Sequence, residues 1–191
     1  MLQQVLDLFH RVYDVQGIVR WGGLLALVAI VFAETGLLVG FFLPGDSLLV
    51  TAGIYCNPLA PGEEPLLNIV TVNLAVMAAA IIGDTVGYWI GAKSGPRLFT
   101  REQSLLFSKK HLLRTKDFYE RHGGKTIIIA SFMPFALTFA PVVAGIGRMC
   151  YRRFLSYNVF GAVGWVFSMT MLGFGLSRVF PNLPKHIDKV I

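Results

Sequence analysis

Charged side chains are scarce in this sequence, and their scarcity excludes most soluble folds. Only 15% of the 191 residues are Asp, Glu, Lys or Arg, while 54% are hydrophobic and the mean hydropathy is +0.62. A soluble domain typically has about 25% charged residues. We therefore expect an integral membrane protein built as one domain.

Cysteine is also rare, and it offers no framework of cross-links. The two cysteines, Cys56 and Cys150, fall in segments that we expect on opposite faces of the membrane. A disulfide between them is therefore not expected, and the cysteines do not identify a compartment.

Motifs of membrane-embedded hydrolases are missing as well. The chain contains no Gly-x-Gly-Asp, Gly-x-Ser-x-Gly or His-Glu-x-x-His string. Two Gly-Asp pairs, Gly45-Asp46 and Gly83-Asp84, leave an aspartyl dyad as one alternative, since such a dyad needs two carboxyl groups that share a proton. We expect a protein that is not an enzyme and that requires neither a cofactor nor a metal ion.

The basic residues are concentrated in one block. The whole net charge of +6 arises between residues 93 and 125, which include nine lysine or arginine residues and three acidic residues. Apolar segments flank this block, so a cytoplasmic position and contact with anionic lipid heads fit it better than nucleic-acid binding. The nine cations are Lys93, Arg97, Arg101, Lys109, Lys110, Arg114, Lys116, Arg121 and Lys125.

The most informative stretch lies between residues 32 and 53. It places two carboxyl groups, Glu34 and Asp46, and the break Pro44-Gly45 inside an otherwise apolar run. An ionisable group at membrane depth is costly and usually faces a cavity or an ion path. A Pro-Gly break exposes backbone polar groups, which are tolerated there only against protein or water. The stretch predicts a half-membrane hairpin around a polar site, and it favours transport.

The rest of the chain predicts an all-α polytopic membrane protein. The pattern predicts two spanning helices, two interfacial amphipathic helices and two re-entrant hairpins. Hairpin 1 is predicted because its second arm is too short to span the membrane, and hairpin 2 because it contains two spaced prolines. The predicted segments are an amphipathic helix at 1–20, re-entrant hairpin 1 at 21–56, a spanning helix at 66–92, a basic amphipathic helix at 101–122, re-entrant hairpin 2 at 126–147 and a spanning helix at 154–178.

This order repeats itself, with the second copy entering from the opposite face. A weak internal similarity supports the repeat, since Phe42-Leu43-Pro44…Thr51-Ala52-Gly53 pairs with Phe139-Ala140-Pro141-Val142-Val143-Ala144-Gly145. Inverted repeats with paired broken segments near the midplane are typical of transporters.

The residues resemble the DedA family, also called the SNARE-associated or VTT-domain family. The matching strings run in family order over about residues 30–175, and their combination is highly specific. They are Glu34-Thr35-Gly36, Phe42-Leu43-Pro44-Gly45-Asp46-Ser47, Gly83-Asp84…Gly87-Tyr88…Gly91, Pro141…Ala144-Gly145…Met149 and Phe154…Asn158…Gly161-Ala162…Trp165.

The resemblance implies a polytopic helical fold with two facing re-entrant hairpins, and it implies lipid translocation. Bacterial members move undecaprenyl phosphate, the lipid carrier of cell-wall synthesis, back across the membrane, and proton coupling is often proposed for them. The family's essential acidic pair falls on Glu34 and Asp46. Members usually continue into a final spanning helix, so the resemblance implies one after Ile191.

The second hairpin departs from the family pattern. The family usually has Arg-Phe-x-Pro-x-x-Arg-Thr, and the matching run here replaces the two arginines by Ser131 and Leu137. Arginine is the natural bidentate partner of phosphate. The loss puts midplane phosphate binding in question, so a non-transporting scaffold or an inactive variant is the alternative function.

Ten residues are the candidate functional positions. Those proposed to bind substrate or a proton are Glu34, Gly45, Asp46, Asp84, Ser131, Leu137 and Thr138, and those proposed to recruit lipid head groups are Arg148, Arg152 and Arg153.

Several candidates also have a purely structural interpretation. Asp46 follows Pro-Gly and precedes an apolar run, which is a typical N-cap position. Ser131 and Thr138 could bond back to helix carbonyls. Glu34 and Asp84 could be buried hydrogen-bond partners.

The expected binding partners of the protein are a membrane lipid, either a polyprenyl phosphate or a phospholipid, and protons, and the glycine-rich helices permit a homodimer. The expected location is the bacterial cytoplasmic (inner) membrane, crossed several times, with residues 93–125 in the cytoplasm.

Overall fold

The computed structural model of the chain describes residues 15–37, 45–58, 64–98 and 125–179, and all regular structure in these ranges is helical. The interfacial helix expected at 1–20 lies mostly outside the described residues, and the basic helix expected at 101–122 lies wholly outside them. The helices are α1 (Val15–Gly36), α2 (Gly45–Tyr55), α3 (Ile69–Leu98), α4 (Lys125–Ala130), α5 (Pro134–Ile146) and α6 (Tyr151–Val179).

Two helices in these ranges are long and apolar enough to cross a membrane. They are the segment Ile69–Ser94 of α3, with 26 residues, and the whole of α6, with 29 residues. At 1.5 Å per residue they extend about 39 and 43 Å, which exceeds the roughly 30 Å of a hydrocarbon core. Helical structure is thereby confirmed for both segments that were predicted to span, 66–92 and 154–178.

The helices of the two predicted hairpins are shorter. The 11 residues of α2 and the 13 residues of α5 extend only about 16 and 20 Å, less than the hydrocarbon thickness. The helix α1 changes direction at Gly23, whose φ of +51° suits a residue without a Cβ, and its apolar part runs from Gly22 to Gly36. Short apolar helices are therefore present at both hairpin positions.

Local chemistry explains where the helices begin and end. The Asn68 side-chain oxygen accepts hydrogen bonds from the backbone N–H groups of Val70 and Thr71, at 2.9 and 3.2 Å, and so caps the start of α3. The helix α5 ends in a Schellman motif, in which the N–H of Met149 bonds the carbonyl of Ala144 at 3.1 Å and Arg148 takes a left-handed conformation with φ of +51°.

The segment of the second predicted hairpin is interrupted before one proline and not at both. A turn over residues 131–133 separates α4 from α5, and Pro134 occupies the first turn of α5, where its missing N–H costs nothing. Pro141 lies inside α5 without ending it. The expectation that both prolines break the segment was therefore wrong for Pro141.

The chain divides into two compact units. Unit 1 comprises Met1–Val31, Leu43–Ala78 and Val166–Ile191, and unit 2 comprises Phe32–Phe42 and Ala79–Trp165. Each unit contains its own buried helix contacts, and the two are described separately below.

In unit 1, α2 packs closely against α6 through two glycines. A Cβ on Gly53 would overlap the carbonyl oxygen of Thr170 and lie 2.9 Å from the nitrogen of Phe174. A Cβ on Gly173 would overlap the carbonyl oxygen of Val50. Small residues allow helix backbones to approach in this way.

In unit 2, α5 packs against α3 through the same arrangement. A Cβ on Gly145 would overlap the carbonyl oxygen of Tyr88 and lie 2.7 Å from the nitrogen of Ala92. A Cβ on Gly91 would overlap the carbonyl oxygen of Val142. Each unit therefore contains an equivalent glycine-packed pair of helices.

These contacts assign the register of the internal repeat. Gly53 of α2 corresponds to Gly145 of α5, 92 positions later, and Gly91 of α3 corresponds to Gly173 of α6, 82 positions later. The starts of α3 and α6, residues 69 and 151, are also 82 positions apart. In this register Pro141 corresponds to Leu49, whereas the sequence comparison paired it with Pro44.

The two cysteines differ sharply in environment. Cys56, just after α2, is 6% exposed, and burial raises the pKa of its thiol to about 11. Cys150, before α6, is exposed, and both are free thiols. Because the thiolate is the reactive form, we expect a maleimide at neutral pH to label Cys150 in detergent-solubilised protein and to leave Cys56 unmodified.

A Cys150→Ser variant isolates the buried thiol. We expect it to take up label only after denaturation or when the pH approaches the raised pKa of Cys56. Equal labelling rates of the two cysteines in the folded protein at neutral pH would show that Cys56 is not buried.

Candidate functional site

The end of α1 packs onto α3 within unit 2. Glu34 is 7% exposed and Thr35 is 1% exposed. The Thr35 hydroxyl lies within 3.5 Å of the carbonyl oxygen of Ala80 and against Gly83. A Cβ on Gly36 would lie 2.9 Å from the carbonyl oxygen of Gly83. The absence of side chains at both glycines therefore lets the carboxyl-bearing end of α1 reach α3.

Asp84 lies directly after this contact, in the middle of α3. It is 4% exposed, and in the described part of the chain its Oδ1 has no hydrogen-bond partner. The interpretation of Asp84 as a satisfied hydrogen-bond partner thus finds no support at this atom. One turn later, Gly87 faces the carbonyl oxygen of Thr35 and the Pro141 side chain, so α1, α3 and α5 meet there.

Asn158 of α6 approaches α3 beside Asp84. Its side-chain nitrogen donates to the carbonyl oxygen of Ile81 at 3.2 Å, and the residue is fully buried. Asn158 was part of the family strings but not of the candidate set. A single amide in an apolar spanning helix is the sequence feature that could have identified it, since polar groups at membrane depth are rare and costly.

Ser131 lies in the turn between α4 and α5. It is 6% exposed, and its hydroxyl donates to the carbonyl oxygen of Ile127 at 3.0 Å. The structural interpretation of Ser131 as a back-bonded hydroxyl is therefore confirmed. A Cβ on Gly161 of α6 would overlap this hydroxyl, so the space around Ser131 is tight.

Leu137 and Thr138 lie in the first turns of α5 and are 4% and 1% exposed. In the register of the glycine contacts they correspond to Gly45 and Asp46 of α2. The candidate positions in the two hairpins are thus equivalent, and the second copy carries a neutral hydroxyl where the first carries a carboxyl group.

Asp46 and Gly45 belong to unit 1. The helix α2 begins at Gly45, which is buried, and Asp46 lies half-buried in the first turn. Asp46 therefore lies within the first turn of the helix. A carboxylate there still interacts favourably with the positive end of the helix dipole.

An aromatic cluster anchors α6 to α3 in unit 2. The Tyr88 hydroxyl donates to the carbonyl oxygen of Met149 at 2.5 Å, and its ring stacks on Phe154 with centroids 4.7 Å apart. Phe154 is fully buried, and Ile127 and Ala144 complete this core. The cluster holds α6 in place at the side where the arginines lie.

The three arginines are all exposed. Arg148 occupies the left-handed position of the turn after α5, and Arg152 and Arg153 lie in the first turn of α6. Their exposure at a helix start is compatible with contact to lipid head groups and does not place them beside the buried candidates.

The candidate residues are divided between the two units. Glu34, Asp84, Ser131, Leu137 and Thr138 are all buried residues of unit 2, whereas Gly45 and Asp46 are in unit 1. Within the described ranges, no group of three or more His, Cys, Asp or Glu side chains could hold a metal ion.

Comparisons with known proteins agree on one family. A family model for the VTT domain matches residues 43–175. Protein DedA of Escherichia coli strain K12 is 49% identical over 164 residues, which cover 86% of this chain and 71% of that protein.

More distant relatives are also membrane proteins by name. An uncharacterized membrane protein of Mycobacterium leprae is 37% identical over 166 residues, covering 87% of this chain and 71% of that protein. Inner membrane protein YghB of Escherichia coli strain K12 is 32% identical over 165 residues, covering 86% of this chain and 72% of that protein. No solved structure matches the chain.

Proposed function

This chain belongs to the DedA family of VTT-domain membrane proteins, and from that premise we propose that it moves an anionic lipid between the leaflets of the bacterial cytoplasmic membrane. The lipid we propose is undecaprenyl phosphate or a related polyprenyl phosphate. The proposal involves transport and no covalent chemistry on the lipid.

The observation that carries the proposal is the burial of carboxyl groups in apolar helices. Glu34 is 7% exposed near the end of α1, and Asp84 is 4% exposed within the apolar stretch of α3. Such groups are expensive at membrane depth and typically mark a substrate or proton path. A scaffold that only filled the membrane would have no use for them.

Short helices give the lipid head group a place to bind. The N-terminus of α2, at Gly45, and that of α5, at Pro134, present backbone N–H groups and the positive end of a helix dipole. Helix N-termini bind phosphate for this reason. In the proposal, Ser131, Leu137 and Thr138 shape the end of α5 that the head group meets.

Proton coupling is assigned to Glu34 and Asp46. A carboxyl group that alternates between its neutral and charged forms changes the charge presented to an approaching phosphate. Asp46 in its charged form repels the head group from the start of α2 and in its neutral form admits it. The exposed Arg148, Arg152 and Arg153 recruit the anionic head on the cytoplasmic side, where residues 93–125 add further positive charge.

Reconstitution into liposomes tests the proposal. An added phosphatase removes phosphate only from polyprenyl phosphate in the outer leaflet, so continued release reports translocation. We expect the protein to accelerate release and Glu34→Gln or Asp46→Asn to reduce the rate at least tenfold, since a contact to a charged group contributes about 1.5–3 kcal/mol.

The exposed Glu64 provides a matched control. Glu64→Gln neutralises a carboxyl group outside the helices, and we expect it to leave the rate unchanged. The proposal is wrong if the phosphatase releases no more phosphate from liposomes with this protein than from empty liposomes, while it does release more from liposomes with the Escherichia coli relative.

A double substitution separates transport from the alternative function. We expect Ser131→Arg with Leu137→Arg to move lipid faster than the unchanged chain, because two arginines bind phosphate more tightly. A thermal melt must accompany the assay, since Ser131 lies against Gly161. If only the folded double variant is active, the chain is an inactive family member and the scaffold function is favoured.

A further inference from the structure

Two buried side-chain oxygen atoms lie on helices α3 and α6 of unit 2, on residues close to the same level of α3. Asp84 is 4% exposed and Asn158 is 0% exposed. Among the residues that the structure describes, neither Oδ1 of Asp84 nor Oδ1 of Asn158 has a hydrogen-bond partner. Buried polar atoms are almost always paired, so two unpaired atoms on facing helices require an explanation.

The hydrogen bond of Asn158 places its amide at the level of Asp84. The acceptor is the carbonyl oxygen of Ile81, which also accepts a bond of 2.8 Å from the Thr85 hydroxyl. A helix carbonyl points toward the residues three and four positions ahead, which here are Asp84 and Thr85. Only the nitrogen of Asn158 can donate to this carbonyl, so its oxygen is left as an acceptor.

The internal repeat shows that packing does not require these polar groups. In the register of the glycine contacts, Asp84 corresponds to Val166 and Asn158 to Val76. Both valines are fully buried in unit 1. The same position between α3 and α6 is therefore filled by two aliphatic side chains in one unit and by two acceptors in the other.

The charged and titratable neighbours offer no counter-ion. In the described part of unit 2, the lysine and arginines with described side chains (Lys93, Arg148, Arg152 and Arg153) are all exposed. The other titratable groups on the packed helices are Glu34 on α1, Tyr88 on α3, and Tyr151 and Tyr157 on α6, with Cys150 before them. None of these is a cation, and an unpaired buried carboxylate is strongly disfavoured.

One proton on the Asp84 carboxyl group would allow a hydrogen bond that pairs the two unpaired oxygen atoms. We propose that Asp84 is a proton-binding site, in which the neutral carboxyl group donates its hydrogen bond to the side-chain oxygen of Asn158. Release of the proton to water converts the carboxyl group into a carboxylate, removes the donor and leaves three acceptor oxygens facing one another. Beside Asp84, the α3–α6 contact of unit 2 then keeps the bond from Asn158 to Ile81 and loses the bond from the carboxyl group, which loosens it locally.

This site adds a proton-binding residue to the proposed function, and it can be tested apart from lipid transport. Difference infrared spectroscopy detects the C=O stretch of a protonated carboxyl group in the purified protein. We expect a band at neutral pH that disappears in Asp84→Asn, whose amide can still donate to Asn158. In Asn158→Val the band should remain and shift to higher frequency, because its hydrogen bond is lost.

Glu34→Gln identifies any band that belongs to the other buried carboxyl group of unit 2. The proton site is refuted if the spectrum of Asp84→Asn retains every carboxyl band of the unchanged protein. Failure of the transport assay leaves this result intact, so the two proposals are separately falsifiable.

Thermal unfolding tests the pairing itself. Asp84→Val leaves the acceptor oxygen of Asn158 unpaired and Asn158→Val leaves the donor hydroxyl of Asp84 unpaired, so we expect both to lower the melting temperature. The double variant reproduces the valine pair of unit 1 and should melt above either single variant. If the double variant melts no higher than the less stable single variant, the two side chains are not coupled.

Discussion

Replacing Gly173 by alanine is expected to lower the free energy of unfolding by about 1–3 kcal/mol, the range typical of overpacking. The added methyl group would overlap the carbonyl oxygen of Val50 and lie 2.8 Å from its carbonyl carbon. Backbone atoms cannot move aside as a flexible side chain can, so α2 would have to shift away from α6. Reversible unfolding in detergent micelles measures the change.

Gly175 is the matched control on the same helix. A Cβ there has no atom within 4 Å, so Gly175→Ala should stabilise the protein by up to about 1 kcal/mol through the higher helix propensity of alanine. Gly91→Ala, the equivalent change in unit 2, should behave like Gly173→Ala. Equal effects at Gly173 and Gly175 would contradict the close approach of α2 and α6.

Replacing Phe154 by alanine is expected to cost about 3–5 kcal/mol, as is typical of a large aromatic side chain removed from a core. The ring is fully buried and stacks on Tyr88 with centroids 4.7 Å apart. Its loss would leave a cavity where α3, α5 and α6 meet. The same unfolding measurement applies.

Phe160 provides the comparison, because it lies on α6 but is 69% exposed. We expect Phe160→Ala to change stability by less than about 0.5 kcal/mol, as surface substitutions usually do, since lipid or detergent replaces the ring. A large effect at Phe160 would mean that this face packs against protein, and it would favour the predicted homodimer.

The positions of the spanning helices could be predicted from the sequence. The predicted segments 66–92 and 154–178 agree with the apolar segment Ile69–Ser94 and with α6 to within a few residues. Hydropathy over some twenty residues is a local property, so no knowledge of distant contacts is needed. The break near Pro134 could be predicted for the same reason, because a proline is tolerated at the start of a helix and disfavoured in its interior.

Predictions that depended on single residues were less successful. The neighbours of Asp46 suggest a cap as one interpretation, and the structure places the residue in the first turn of α2. Pro141 was expected to break the hairpin, but it lies inside α5. A helix boundary depends on the packing of both flanks, which the surrounding sequence alone does not contain.

The sequence by itself determined the class of the protein and the family, because composition, apolar length and motif order are properties of the chain. Only the tertiary structure decided the register between the two glycine-packed helix pairs and the hydrogen bond from Asn158 to α3. Both depend on which faces of distant helices meet, and glycines such as Gly53 and Gly145 set that approach by leaving the backbone bare. A polar atom without a donor is likewise recognised only after every neighbouring helix is in place.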